Sequence, residues 1–200
     1  MLNLYLTPKN SKVPTPDAEH ESAALELMRE NGIIGSKLGP MEYAAGDYAG
    51  RIFQVDQNSD LLPAELTFES LWVGRSRRPT FLPIDQDLYE YHGASCPMCK
   101  DAIDEYVFED ALERLGIFPV ERVFYECPSC QTEMAFTEID FGQATAVARF
   151  WFKLEAVAQG RLRAGFIDAI SKALGCSMTV VPEVIDDQAA DWDTSPRIRF

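Results

Sequence analysis

The chain has 200 residues, 46% of them hydrophobic, 25% charged and 11% aromatic, which is enough apolar content for one sizeable core and excludes a largely disordered chain. Its formal net charge of −14 at pH 7 repels phosphate backbones and disfavours nucleic acid as a partner. The opening MLNLYLTPKNS lacks a cationic n-region and no run of about 20 apolar residues occurs, so neither a secretory leader nor a membrane span is expected, and the expected compartment is the cytoplasm.

In chain order, residues 2–6 (NLYLT) read as a short strand. Thr15-Pro16 offers an N-cap followed by proline at the first helical position. Ala18, Leu25 and Met28 then recur at helical spacing, Glu19 and Glu21 suit the positive helix start, and Asn31-Gly32 ends the run. From there to about residue 66, Gly, Pro, Asn and Asp leave one legible strand, RIFQV at 51–55. TFESLWVG (67–74) alternates like a half-buried strand, and RPTFLPIDQ (78–86) reads as a proline-punctuated connection.

Beyond the cysteines, residues 144–157 (ATAVARFWFKLEAV) place apolar side chains at both strand and helix spacing, and the strand is the preferred reading. Residues 163–174 predict a helix with Phe166, Ile170, Ala173 and Leu174 on one face and Gly175 as its left-handed cap. SMTVVPEV (177–184) reads as a strand. Each end of the chain therefore carries a strand and helix followed by a strand. That order predicts an α+β fold, a two-layer sandwich of ferredoxin-like kind. Its core is expected from 1–90 and 141–185, with a metal module inserted at 91–140 and an irregular acidic tail at 186–200, where Trp192 supplies an anchor.

The strongest signal is CPMC at 96–99 and CPSC at 127–130, separated by 27 residues. In a reducing compartment, paired Cys-x-x-Cys motifs point to metal more than to disulfide. Each such turn lets two thiolates converge on one ion, and proline beside the first cysteine stiffens the loop. Cys96, Cys99, Cys127 and Cys130 thus make a closed four-sulfur shell, a structural arrangement with no open position for substrate. One zinc ion per chain is expected, with iron as the rival. Cys176, alone after Gly175, reads as a buried small hydrophobe.

This segment resembles the zinc-ribbon class, which is built from two CPxC knuckles, over residues 96–130 only. The second knuckle sits between the strand signals RVFYE and TEMAFTEI, as a ribbon hairpin requires. Two departures stand out. The glycine usual after each CPxC is replaced by Lys100 and Gln131, and the first knuckle is followed by DAIDEYVFEDALERLG, a predicted helix with Phe108, Leu112 and Leu115 on one face. On that helix Asp101, Glu105, Glu109 and Glu113 fall at steps of four and form a negative stripe.

Residues 96–130 hold three basic side chains against eight acidic ones, so the module suits a basic protein surface better than phosphate. Other clusters carry weaker signals. Asp85, Asp87, Glu90 and His92 could orient a general base, and Arg75, Arg77 and Arg78 could hold an anion. Trp72, Phe150, Trp151 and Phe152 read as core. The expected role is a non-enzymatic regulator, adaptor or inhibitor that binds another protein through an acidic surface. The alternatives are a small enzyme using the Asp85–His92 region with the Arg75–Arg78 patch, or an accessory subunit of a nucleic-acid complex.

Overall fold

The computed structural model describes residues 2–9, 15–54, 66–82, 94–103, 114, 122–140, 146–157 and 161–184. Its elements in chain order are β1 (Leu2–Pro8), α1 (Ala18–Glu30), β2 (Ile34–Gly39), β3 (Glu42–Ala45), a 3-10 turn (Ala49–Ile52), β4 (Phe53–Gln54), β5 (Ser70–Leu82), β6 (Phe124–Glu126), β7 (Glu133–Ala135), a 3-10 turn (Phe136–Glu138), β8 (Ala146–Val157), β9 (Arg161–Leu162), α2 (Ala164–Leu174) and β10 (Met178–Val184).

One antiparallel sheet, in the order β10-β1-β8-β5-β3-β2, carries the fold. Its four leading strands follow the chain order β1-α1-β5-β8-α2-β10. Antiparallel β8 lies between β1 and β5, and antiparallel β1 lies between β8 and β10, which gives two split β-α-β units and the predicted ferredoxin-like pattern. The cysteine-bearing segment lies between β5 and β8 in the chain, and the β2–β3 hairpin extends the sheet edge.

Strand alternation explains the two faces. Leu4 and Leu6 of β1, Leu71 and Val73 of β5, and Phe150, Phe152 and Leu154 of β8 join Ala24, Leu25 and Met28 of α1 and Ile170 and Leu174 of α2 in one core. The side chains between them, Tyr5 and Trp151, form a second buried cluster with Leu82, Ala148 and Val181 on the opposite face. That face is also polar. Glu183 Oε2 accepts from Asn3 Nδ2 at 2.6 Å and from the Tyr5 hydroxyl at 3.3 Å, while Lys153 Nζ lies 3.0 Å from Glu155 Oε1. Burial pushes the Glu155 carboxyl up, but Lys153, Ser70 and Trp72 more than offset this and leave it below the usual range. Asn3 Oδ1 accepts the amide of Ala156, whose φ of 51° marks the point where the β1–β8 register shifts.

Several expectations are corrected. The helix cap is Asp17, not Thr15: its Oδ1 accepts the His20 amide at 2.9 Å, and Ala18 is exposed while Ala24 fills the buried stripe. In RIFQV, Phe53–Gln54 is strand, the 3-10 turn takes Arg51 and Ile52, and Val55 lies outside the described residues. The expected connection at 78–86 instead continues β5 as far as Leu82, and its last four residues lie outside the described residues. Pro79 fits there because the pairing with β8 slips between Arg75 and Thr80, leaving a stretch that needs no ladder donor. Of the aromatic group, Phe150, Phe152 and Trp151 are buried, whereas Trp72 is exposed and donates through Nε1 to Glu155 Oε2 at 2.8 Å.

Gly74 faces Trp151 across the β5–β8 pair, and a β-carbon there would sit 1.9 Å from Trp151 Cε2. The indole therefore occupies the space a side chain would take. Gly74→Ala is expected to cost about 1–3 kcal/mol by overpacking and to shift tryptophan emission. Unchanged thermal melting and emission in that variant would show the indole is not seated on residue 74.

Candidate metal centre

The two CPxC segments fold as near copies of each other. In the first, the Cys96 amide donates to Asp101 O (2.9 Å) and the Lys100 amide to Cys96 O (2.9 Å). In the second, the Cys127 amide donates to Thr132 O (3.0 Å) and the Gln131 amide to Cys127 O (2.7 Å). Lys100 and Gln131, with φ of 66° and 58°, take the left-handed bend that glycine usually supplies. The missing glycines thus leave the knuckle backbone intact at some local strain. Ser95 bridges Ala102 beside the first knuckle, and β6 pairs with β7 beside the second, so each loop closes a short hairpin. Ser95 also bridges Asp140, which ties the two hairpins together.

The four Sγ atoms lie within 4.8 Å of one another, with Cys96–Cys130 at 3.8 Å and Cys99–Cys127 at 3.6 Å. A tetrahedron of metal–sulfur bonds near 2.3 Å has edges of about 3.8 Å, so the sulfurs stand where one ion would bind all of them. The residues fit the group. Cys96 and Cys127 are buried and Cys99 and Cys130 half-buried, in a small core with Ala94, Ile103, Val123, Tyr125, Met134 and Phe136.

The thiols are electrostatically opposed. The Thr132 hydroxyl, whose oxygen lies 3.4 Å from Cys130 Sγ, and the Thr132 amide draw Cys130 down to about 6. At Cys99 the Asp101 amide pulls the same way, but desolvation and the other three cysteines push the group up to about 12. One sulfur ionises readily and its neighbour resists, which is the conflict a divalent cation removes. Burial, followed by the charge of the four sulfurs, also raises the Tyr125 phenol, whose buried hydroxyl has no hydrogen-bond partner among the described residues.

Of the remaining candidate residues, none that the structure describes joins this centre. Asp101 is exposed and closes the first knuckle, so it lies upstream of any helix. Glu105, Glu109 and Glu113 fall outside the described residues, as do Asp85, Asp87, Glu90, His92 and Trp192. All three arginines of the patch are exposed, and Arg75 pairs with Glu21 of α1, which is only 7% exposed. Cys176 is half-buried against the main core, and desolvation raises its thiol pKa, as suits a small packing residue. Sequence reasoning missed Glu21 as the partner of Arg75; its place in the first turn of α1 explained it as a helix-start acid.

The left-handed bends give a direct test of the knuckle backbone. Gln131→Val should lower the melting stability of the metal-loaded protein by about 1–2 kcal/mol, because a β-branched residue is strained at positive φ, whereas Gln131→Gly should be tolerated. Equal melting of the two variants would contradict the bend. No family model, curated protein or solved structure matches the chain, so its function is read from these residues.

Proposed function

We propose that this centre holds one structural zinc ion and that the chain works by binding another protein through its acidic surface, without catalysis at the metal. The convergence of four sulfurs carries the first half: four donors fill a tetrahedral shell and leave no position for water or substrate. The ion would supply a crosslink between two hairpins whose strands are three residues or shorter. Zinc is the redox-inert occupant that suits such a role.

Charge supports the second half. Asp101, Glu126, Glu133, Glu138 and Asp140 are all exposed around the knuckles, with Lys100, Arg114 and Arg122 opposing them. Lys100 is already paired with Asp140 at 3.4 Å. Glu126 and Glu133 stand directly opposite each other in the β6–β7 pair, an arrangement of like charges that destabilises a hairpin. Beside it, Phe124 is 51% exposed. A basic partner would relieve the carboxylate repulsion and cover the ring.

Protein purified under reducing conditions should carry about one zinc per chain by elemental analysis, and Cys127→Ser should abolish it, since structural zinc contributes about 10–16 kcal/mol of apparent binding free energy. Chelation should speed hydrogen exchange across residues 94–140 and spare the sheet. Iron in place of zinc, or metal-free protein, would overturn the first half. For the second half, Glu133→Lys should stabilise the hairpin by about 0.2–1 kcal/mol through a cross-strand ion pair with Glu126. The same change should slow association with the physiological partner, and the wild-type rate should fall as salt rises. Association indifferent to both the substitution and the salt would reject the acidic surface.

A further inference from the structure

We propose that a cavity between the end of α1, the first 3-10 turn and the start of α2 binds a small anionic amphiphile, a molecule with an apolar body and a carboxylate or phosphate head. The cavity has a volume of about 450 Å³, within the range of small-molecule sites. Met28, Ile33 and Ile52 are buried in its wall, and Leu27 and Phe166 are half-buried there, so the interior is apolar and open on one side.

Its charged groups are cationic, and the other polar side chain, Asn31, donates through Nδ2 to Leu27 O at 2.8 Å. Arg51 and Arg163 are both exposed lining residues, and none of the described lining residues is Asp or Glu. Both guanidinium groups are held in place. Arg51 stacks 3.9 Å above the Tyr48 ring, and Arg163 donates through Nε to Phe53 O at 2.8 Å. Among the described residues neither has a carboxylate within 4.0 Å. In a chain of net charge −14, two oriented arginines with no acid partner among the described residues at one apolar opening are complementary to an incoming anion.

The start of α2 adds to this. Arg163 is the helix cap residue but makes no side-chain capping bond; its carbonyl accepts the Phe166 and Ile167 amides, which leaves the Ala164 and Gly165 amides to other acceptors. Gly165 lines the cavity, and a β-carbon built there meets nothing within 4 Å, which leaves room over the backbone for a head group. The amide dipoles and the guanidinium groups favour the same sign of charge. The apolar wall selects for a body that a free inorganic anion lacks.

Isothermal titration of the full, metal-loaded chain with sodium decanoate tests the assignment, with decanol, decyl phosphate and inorganic phosphate as comparison ligands. Decanoate or decyl phosphate should bind one per chain. Decanol, which lacks the charge, and inorganic phosphate, which lacks the tail, should each bind at least about tenfold more weakly. Arg51→Gln should weaken decanoate binding by about tenfold with metal content unchanged. Ala169→Phe, which fills the cavity, should also weaken it if the tail enters there. Equal binding of decanoate and decanol would overturn anion recognition, and equal binding of phosphate and decyl phosphate would overturn the apolar site. Absence of decanoate binding, or binding unaffected by both substitutions, would overturn the proposal as a whole.

Discussion

Four sulfur atoms within 4.8 Å of one another cannot all carry negative charge unless a cation sits between them. The module around them depends on that constraint. β6 and β7 are three residues each, the first hairpin is held by bridges at Ser95, and the local core includes two of the cysteines themselves. Hairpins this short are marginal alone. A metal ion shared by both knuckles, as proposed above, would join them into one body. The tie to the sheet is apolar: Val147, at the start of β8, belongs to the same cluster as Cys96 and Cys127. The large sheet has its own core from both helices and β1, β5 and β8, which is why losing the ion is expected to loosen the insert first.

The sheet positions the insert. β5 and β8 pair along most of their length, and their far ends, at Leu82 and Ala146, stand opposite each other. A module entering and leaving at adjacent strand ends closes its own loop without disturbing the ladder. Trp151 on Gly74 and the Asn3 contact to the bulged Ala156 amide fix the register on either side of β8. Glu21 and Arg75 join α1 to β5 by an ion pair in which the carboxylate is buried and the guanidinium exposed, so Arg75 already has an anionic partner.

What was legible in the sequence follows from how local each signal is. The four converging cysteines were legible because knuckle geometry demands a fixed spacing, and α2 was legible because its apolar stripe ends at Gly175, which takes φ 69°. β8 was legible as a strand preference, with seven of its twelve positions buried. The β2–β3 hairpin was not: Ser36, Lys37 and Leu38 are all exposed, so no alternation marks an edge strand of this kind. Pro79 argued against a strand that exists because the ladder slips around it. At the metal site, Lys100 and Gln131 pointed away from a ribbon knuckle, yet both adopt the bend. The cavity was illegible because Arg51 and Arg163 meet only through the fold, and a lone arginine in a sequence carries no sign of what it faces.

The account rests on a closed, all-sulfur shell. X-ray absorption at the metal edge of natively purified protein tests it most directly. Four sulfur scatterers at about 2.3 Å with no lighter atom in the inner shell are the predicted result. A shell containing oxygen or nitrogen, or fewer than four sulfurs, would contradict the structural reading and reopen the centre to water or substrate.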